Sequence, residues 1–495
     1  MAAPRAPDYN SSILIVGAGT WGCSTALHLA RRGYKNVTVL DPYGLPSPIS
    51  AGNDINKIIE EGSSTGGSAD DLAESLRRLA KDGWLHDPIF TPYYHNTGYT
   101  ICAHTPEGLE QLTKHEKIHD NPEFEWIDTP EKFRAIMPEG VLTGDFPGWK
   151  GGFKKTGAGW VFARGALMSA FHEAQRLGVK FITGPQGDVK TLLVENGDVV
   201  GAETADGTRH RAATTILTAG AAAPSLLDVK DQLRPTAWTL AHIKMSKEEC
   251  ELYKNLPVLF NLESGFFMEP DAEKGELKIC DEHPGYCNWS TNTSGEKVNI
   301  PFAKHQIPKE AEVRVREFLQ HTMPQLAERP FSFARICWCA DTPDRNFLID
   351  RHPEFKNLVL GIGGSGHGFM HITSVGGFIA DVMEGCLDGK LKEAFRWRPE
   401  TAVDRDWSDV QDRMGGPNRV MDFGDVKECK YWNSSLNPTH VFDFNILFLL
   451  YTRNPVLISL RLLQGRTFSQ IDGTRYSTPD VNMERGTRKS YGGLP

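Results

Sequence analysis

Apolar runs and amphipathic stretches alternate near the start of the chain. Residues 13–16 form a short apolar run, residues 26–30 show apolar positions at helical spacing, and residues 37–40 form a second apolar run. Two arginines and a glycine at residues 31–33 are typical of a helix C-terminus. This order predicts a strand, a helix and a second, parallel strand, which is the unit from which α/β domains are built.

The same alternation continues further along the chain. An amphipathic pattern predicts a helix over residues 156–180, and one Asn-Gly and one Asp-Gly dipeptide predict hairpin turns. We therefore expect an α/β (α+β) fold. The other predicted elements are strands at residues 179–183, 215–218, 276–282 and 357–361, a glycine-rich loop at 363–369 and a helix at 375–384.

Composition narrows the class of protein. The chain has 495 residues, 40% hydrophobic and 24% charged, which is typical of a soluble enzyme with two or three domains. The net charge of −9 argues against nucleic acid as a partner. Nine cysteines without a disulfide-like spacing, behind a polar N-terminus, favour a reducing compartment. Asp443, Arg453 and Pro455 interrupt the apolar stretch 441–463, so we expect no membrane span.

A glycine motif, Gly17-Ala-Gly19-Thr-Trp-Gly22, lies between the first predicted strand and helix. In such a motif Gly17 permits a tight turn, Gly19 lets the backbone approach a pyrophosphate, and Gly22 lets the helix pack against the strand. Asp41 ends the second strand about 20 residues later, where an acid accepts hydrogen bonds from a ribose. The motif predicts a dinucleotide site at a helix N-terminus and does not choose between FAD and NAD.

Several longer strings are similar to those of one group of enzymes. They include SILIVGAGTWGCSTALHLARRGY, SAGNDINK, GDFPGWKGGF, KICDEHPGY, RPFSFARICWCADTPDRNFLIDRHP and GGPNRVMDF. On these strings, residues 11–430 resemble the fungal fructosyl amine oxidases (amadoriases), within the superfamily of D-amino-acid oxidase and sarcosine oxidase. The resemblance implies FAD as the cofactor and O2-dependent oxidation of a C–N bond. Fructosyl amino acids or peptides would give glucosone, the free amine and H2O2.

The resemblance also implies domains and partners. A Rossmann-like FAD-binding domain would comprise residues 11–60, 150–235 and 335–430, and a mixed-sheet substrate domain residues 61–149 and 236–334. The enzyme would be a monomer, with the fructosyl amine and O2 as partners. We expect a cytoplasmic location, because this chain ends in Gly-Gly-Leu-Pro instead of the peroxisomal Ser-Lys-Leu common in the family. Residues 431–495 resemble nothing in the family and are expected to be poorly ordered.

The resemblance implies a covalent flavin bond at Cys337, which is followed by Trp and Cys339. An extended segment would point Cys339 the same way, so spacing alone does not separate the two thiols. Arg335 would favour a nearby thiolate. Zinc would lack a second ligand pair and a disulfide here would be strained, so we expect no metal. The residues implied for FAD are Gly17, Gly19, Thr20, Trp21, Gly22, Asp41, Asn53, Lys57, Val189, Cys337, Gly366, Gly368 and Met370.

Three residues are implied for catalysis. Lys278 and Glu282 alternate onto one face of a predicted strand, ~13 Å apart. The resemblance implies that Lys278 promotes the reaction with O2, that Glu282 binds sugar hydroxyls, and that Arg413 binds the amino-acid part of the substrate. The alternatives are an exposed strand face for the first two, a surface arginine for the third, and an exposed lysine at a helix start for Lys57.

One position departs from the family pattern. Met370 stands where the family commonly has a lysine that contacts the substrate carboxylate. Loss of this cation predicts weaker binding of a free carboxylate and disfavours sarcosine, which needs every anchor. Met370 and His367 are expected to line the substrate site. Two other functions stay open: an oxidase for sarcosine, pipecolate or another secondary amine, and a flavin-binding protein without turnover.

Overall fold

The computed structural model describes residues 6–61, 72–115, 118–282, 285–291, 297–302, 306–407, 421–422 and 429–431. The predictions for Arg413 and for residues 432–495 lie outside this part of the chain. The helices are α1 (Thr20–Arg31), α2 (Leu72–His86), α3 (Pro106–Glu110), α4 (Pro130–Ala135), α5 (Ala163–Arg176), α6 (Lys247–Leu252), α7 (Lys309–Thr322), α8 (Pro324–Ala327), α9 (Val375–Glu384) and α10 (Gly389–Phe395).

Strands account for most of the remaining regular structure. They are β1 (Ser12–Val16), β2 (Asn36–Asp41), β3 (Lys57–Glu60), β4 (Tyr94–His95), β5 (Tyr99–Ala103), β6 (Glu125–Ile127), β7 (Lys150–Lys154), β8 (Ala158–Val161), β9 (Lys180–Thr183), β10 (Val189–Glu195), β11 (Asp198–Thr204), β12 (Arg209–Arg211), β13 (Thr214–Leu217), β14 (Arg234–Lys244), β15 (Val258–Asn261), β16 (Gly265–Phe267), β17 (Glu276–Asp281), β18 (Tyr286–Cys287), β19 (Trp289–Thr291), β20 (Lys297–Asn299), β21 (Gln306–Pro308), β22 (Phe331–Asp341), β23 (Leu358–Leu360), β24 (Met421–Asp422) and β25 (Cys429–Tyr431).

A parallel five-stranded sheet, in the order β23-β13-β1-β2-β9, carries the glycine motif. Both of its faces are covered. Ile13 and Ile15 face a cluster that includes residues of α1, α5 and α9, whereas Leu14 and Val16 face a second apolar cluster. Burial on both faces explains why β1 is a continuous apolar run rather than an alternating one. The α/β fold class predicted from the sequence is confirmed.

Several local predictions are also confirmed. The unit β1, α1, β2 has the predicted order, and the last predicted helix is α9. The Asn-Gly and Asp-Gly turns join β10 to β11 and β11 to β12 as antiparallel pairs. The predicted strand at residues 276–282 is β17, which ends at Asp281, so Glu282 follows it directly.

The predicted helix over residues 156–180 is wrong at its N-terminal end. Ala158–Val161 forms β8, which lies between β3 and β4, and the helix α5 begins only at Ala163. A Cβ atom on Gly159 would lie 2.0 Å from the carbonyl oxygen of His95, so the β4 backbone approaches to a distance that only glycine permits. The partners of β8 are remote in sequence, and local periodicity does not reveal them.

A second, ten-stranded sheet contains β14 at its centre, hydrogen-bonded to both β17 and β22. One face of these strands packs against α7 through an apolar cluster. β22 runs across the predicted domain boundary at residue 335. Within the described ranges, no helix combines the length and the apolar composition needed to cross a membrane.

Candidate active site

The glycine motif forms the turn between β1 and α1. Gly17 has a φ of +103° and donates its N–H to the carbonyl of Leu40 at 2.8 Å. A Cβ atom on Gly17 would lie 2.7 Å from the carbonyl oxygen of Thr218, and one on Gly22 would lie 1.8 Å from the carbonyl oxygen of Gly17. Both positions therefore need glycine, one for its backbone conformation and one for the close packing of α1.

The N-terminus of α1 is open toward a ligand. Its cap residue, Gly19, has no side chain to occupy the first amides, and within the described part of the chain a Cβ atom there would approach just the Ser50 hydroxyl, at 3.4 Å. The Asp41 carboxylate accepts hydrogen bonds from the amides of Ala18 at 2.9 Å and Tyr43 at 3.0 Å, and it fixes the turn. Burial raises the pKa of Asp41. Free amides at a helix N-terminus suit a pyrophosphate, so these residues fit a dinucleotide.

Trp21 connects the glycine motif to the segment 363–371. Its indole N–H donates to the carbonyl of Gly368 at 3.1 Å, and its ring meets Phe347 edge-on at 4.9 Å. A Cβ atom on Gly368 would lie 3.1 Å from the Trp21 indole nitrogen. Gly366 has a φ of +78°, a left-handed backbone conformation that favours glycine.

His367 and Met370 lie in the same segment as these glycines. The His367 ring stacks on Phe347 at 5.2 Å, and burial lowers the pKa of this histidine to about 4, so the imidazole is neutral at neutral pH. The half-buried Met370 side chain packs against the apolar cluster beneath the parallel sheet, and its carbonyl accepts a hydrogen bond from Trp84 at 2.7 Å.

Val189 begins β10, close to the carboxyl end of β2. The preceding Gly187 lies so close to β2 that a Cβ atom on it would be 2.4 Å from the carbonyl oxygen of Asp41. The half-buried side chain of Val189 packs against the second apolar cluster of the parallel sheet. This predicted cofactor residue therefore lies at the same sheet edge as Asp41.

The loop at residues 47–57, which ends on the first residue of β3, contacts helix α1 and the strands β17 and β22 of the ten-stranded sheet. Asn53 donates to the carbonyl of Ser47 at 3.1 Å and accepts from Arg164 at 2.8 Å. A Cβ atom on Gly52 would lie 2.4 Å from the Thr20 hydroxyl, so the loop packs closely against the start of α1. Thus Asn53 and Thr20, both predicted from the sequence, hold the loop beside the glycine motif.

Asp54 lies at the centre of a group of three cations. Its Oδ2 atom is 2.7 Å from Lys57 Nζ, 3.0 Å from Lys278 Nζ and 3.9 Å from Arg335 Nη2. Burial would raise the pKa of this carboxyl, but the cations outweigh burial and hold the pKa well below its usual value. Among the described residues, three cations thus share this one buried carboxylate.

Lys278 is fully buried. Its ammonium donates to Asp54 and, at 2.6 Å, to the carbonyl of Asn56, and it lies 5.7 Å from the centre of the Phe266 ring. An ammonium has three N–H groups, and among the described residues no oxygen or nitrogen accepts the third. The alternative of an ordinary exposed lysine is therefore wrong for Lys278. It is also wrong for Lys57, which lies in β3 and pairs with Asp54.

The chemistry-bearing side chains share one face of the large sheet. Cross-strand neighbours lie on the same face, and the register pairs His242 with Lys278 and Leu240 with both Cys280 and Arg335. We call this the site face, defined by Trp238, Leu240, His242, Lys278, Cys280, Arg335 and Cys337.

Cys337 and Cys339 differ in their electrostatic surroundings. Cys337 lies two residues after Arg335 on the site face and is 7% exposed. Burial and the Asp341 charge raise the pKa of Cys339 well above its usual value. Burial raises the pKa of Cys280 to about 11. Since the thiolate is the reactive form, Cys339 and Cys280 are poor nucleophiles at neutral pH.

Glu282 is buried at the end of β17, with 7% of its surface exposed, so the alternative of an exposed strand face is wrong here too. Arg413 lies outside the described residues. The sequence reasoning missed Asp54, Asn56 and His242. Asp54 stands inside the string SAGNDINK, but its partner Lys278 is 224 residues away, and no local spacing signals that pair.

The parallel sheet and the glycine turn define a protein of the dinucleotide-binding class. The chain belongs to the family of FAD dependent oxidoreductases (DAO), whose family model matches residues 12–382.

Solved structures and curated proteins agree with this family. Fructosamine oxidase from Aspergillus fumigatus (Amadoriase II) is 59% identical, with a TM-score of 0.83 over 86% of this chain and 98% of that chain. Amadoriase I, a fructosyl amine:oxygen oxidoreductase of the same fungus, is 59% identical with a TM-score of 0.82 over the same shares. L-saccharopine oxidase of Schizosaccharomyces pombe is 29% identical over 79% of this chain and 93% of its own length.

Proposed function

We propose that this protein is an FAD-dependent oxidase that deglycates fructosyl amino acids or fructosyl peptides. The observation that carries the proposal is the buried Lys278, held by the loop that packs against the start of α1, with one N–H that no described residue accepts and two further cations around the same carboxylate. The similarity to two Aspergillus amadoriases at 59% identity supports the substrate class.

The bound flavin would accept a hydride equivalent from the carbon next to the substrate nitrogen and pass two electrons to O2, giving H2O2 and an imine that water hydrolyses to glucosone and the amine. The chain's own residues supply orientation and charge. The third N–H of Lys278 can donate to O2 or to the peroxide that forms, and its positive charge favours the negative charge that develops there.

We propose that Glu282 and Arg413 bind the substrate, at its sugar hydroxyls and its amino-acid part respectively, as the family resemblance implies. The burial of Glu282 supports a role inside a pocket rather than on the surface. His367 would line the pocket as a neutral group, in keeping with its lowered pKa. Met370 offers no charge for a substrate carboxylate, so longer or peptide-like amines would be accepted.

We propose further that Cys337 forms a covalent bond to the flavin 8α carbon. The thiol would lose one hydrogen and the flavin methyl group another as the C–S bond forms, and O2 would be the oxidant that takes up both hydrogens with two electrons as H2O2. The neighbouring Arg335 and the raised pKa of the competing Cys339 support Cys337 over Cys339. Acid precipitation that leaves yellow flavin on the wild type, but not on Cys337→Ala, is the expected result.

Anaerobic reduction tests the proposed activity. The purified holoenzyme is mixed without oxygen with fructosyl-valine, a fructosyl-lysine derivative, a fructosyl dipeptide or sarcosine, and the flavin absorbance is followed. We expect fructosyl compounds to bleach the flavin. Bleaching by sarcosine alone would favour the secondary amine oxidase, and a yellow protein that no amine bleaches would favour a flavin-binding protein without turnover.

Other aspects of the sequence prediction are also part of this proposal. We propose that residues 11–60, 150–235 and 335–430 form the FAD-binding domain and that the enzyme is a cytoplasmic monomer. The parallel sheet supports this assignment of the FAD-binding domain, because all its strands fall within the three ranges. They lie in residues 12–41, 180–183, 214–217 and 358–360.

A further inference from the structure

Asp54 brings two parts of the site to a single oxygen atom. Its Oδ2 contacts Lys278, on the site face of β17, and also Lys57, at the start of β3. These lysines are 221 positions apart in the chain, which is the difference between their residue numbers. The Asp54 carboxyl group is 1% exposed, so water does not reach this position to solvate the two ammonium groups in its place.

The first of these contacts fixes the position of Lys278. Without the Asp54 oxygen, the ammonium would retain one described acceptor, the Asn56 carbonyl, next to two other cations. Like charges in a buried site repel strongly, so the ammonium would move away from Lys57 and Arg335. The direction of its third N–H would change with it.

The second contact holds cations beside the cysteine proposed for flavin attachment. Arg335 lies two residues before Cys337 on the same strand face, and it shares Asp54 with Lys57. Burial would lower the pKa of the Lys57 ammonium, but its neighbours outweigh burial and raise the pKa. The largest of these contributions comes from Asp54, and smaller ones come from Cys337 and Cys280. Lys57 is therefore charged and lies within electrostatic range of the Cys337 thiol.

We propose that Asp54 is a positioning residue with a double role: it aims the Lys278 ammonium at the O2 site, and it holds Lys57 and Arg335 in place on the side of the sheet that carries the Cys337 sulfur. Asp54 touches neither substrate nor flavin in this proposal. It acts through the cations, and it couples flavin attachment to oxygen reactivity. This inference rests on the proposed oxidase function and deepens it.

The test compares holoenzymes of the wild type, Asp54→Asn, Lys278→Met, Lys57→Met and the two double variants that combine Asp54→Asn with each lysine substitution. Two quantities are measured: the rate at which dithionite-reduced enzyme is reoxidised by O2, and the fraction of flavin that stays with acid-precipitated protein. We expect Asp54→Asn to slow reoxidation about 10- to 100-fold, as for residues that orient a functional group. We expect it also to lower the acid-stable flavin fraction.

The double variant distinguishes positioning from general damage. If Asp54 acts through Lys278, the double variant is reoxidised no more slowly than Lys278→Met alone, because the group being aimed is already absent. By the same reasoning, the double variant Asp54→Asn/Lys57→Met should lose no more covalent flavin than Lys57→Met alone. Glu123→Gln is the matched control, because it neutralises another buried lysine–carboxylate pair, with Lys154 at 2.7 Å, outside the site, and should leave both quantities unchanged.

Reoxidation within twofold of the wild type together with full flavin attachment in Asp54→Asn would overturn the proposal, as would effects that multiply in the double variants. Where Asp54→Asn does not fold, Asp54→Glu keeps the charge but displaces it. The proposal then expects slower reoxidation, and wild-type behaviour would contradict it. Dithionite reduces the flavin without substrate, so failure of the fructosyl amine assay does not affect this test.

Discussion

The two faces of the large sheet are equally buried but differ in charge. The site face presents Lys278, Cys280 and Arg335, whereas the opposite face of the same strands presents Leu277, Ile279 and Ala334 to helix α7. Lys278 and Ile279 are adjacent in sequence, and both are 0% exposed. Complete burial is therefore found both in the apolar core and in the candidate site. The site is distinguished by the charged side chains among its buried residues.

A buried aspartate lies on each side of the sheet, and the two differ in the charged groups around them. Asp281 points to the α7 side, where Arg314 donates to it at 2.8 Å and Thr239 at 3.0 Å, and Arg314 also donates to Tyr286. Asp54, in the loop that lies against the site face, meets three cations. The Asp281–Arg314 ion pair joins helix α7 to the sheet. An excess of cations leaves positive charge for an incoming anion or for an electron-rich transition state.

The two largest expected effects come from substitutions at adjacent residues, one on each face of the sheet. Ile279→Ala removes a fully buried side chain and should cost about 2–5 kcal/mol in the free energy of unfolding, without changing reoxidation by O2. Lys278→Met keeps the volume and should slow reoxidation about 10²- to 10³-fold. Denaturant unfolding and stopped-flow reoxidation of the dithionite-reduced flavin measure the two effects.

Each of these variants serves as the control for the other. If Lys278→Met unfolded as easily as Ile279→Ala while reoxidising normally, the site face would be an ordinary core that contains a buried lysine. If Ile279→Ala slowed reoxidation as strongly as Lys278→Met, the two faces would not be functionally separate.

A smaller effect concerns pH. Burial lowers the pKa of His242 on the site face, against the opposing effect of the Glu276 carboxylate at 3.1 Å. Between the usual histidine pKa and this lower value, the unfolded chain binds a proton that the folded chain does not. The free energy of unfolding therefore falls as the pH falls through that window, by at most about 1.4 kcal/mol for each pH unit.

His242→Gln tests this link. The difference in unfolding free energy between wild type and variant should shrink as the pH is lowered from 7 to 5, since glutamine does not titrate. Other histidines titrate in both proteins and cancel from the difference. A difference that stays constant over this range would mean that His242 does not contribute to the acid sensitivity of the site face.

The smallest expected effect concerns a new cation at position 370, placed to bind the substrate carboxylate. Met370→Lys should lower the KM for fructosyl-valine about tenfold, which corresponds to ~1.4 kcal/mol from a charged hydrogen bond. A fructosyl amine without a carboxylate is the matched control and should show no gain. An unchanged or raised KM for fructosyl-valine would show that residue 370 does not reach the carboxylate.

Local patterns were sufficient for the elements that depend on near neighbours. The strand–helix–strand unit around Gly17, the hairpin turns and the helix α9 were predictable because each has its own turn or cap residues. The strand β8 was not predictable, because its residues pair with β3 and β4 far away in sequence. Similarly, Lys278 and Cys337 were found through resemblance, whereas Asp54 has no local signature.

The sequence by itself determined the cofactor turn. Gly17, Gly19, Gly22 and Asp41 lie within one βαβ unit, and their roles follow from backbone sterics and from the dipole of a single helix. The tertiary structure alone decided the electrostatics of the site face. A buried ammonium depends on the charges within a few ångströms, and for Lys278 those charges come from the loop at residues 47–57 and from β22. Such distances depend on how remote segments pack, which residue spacing along the chain does not encode.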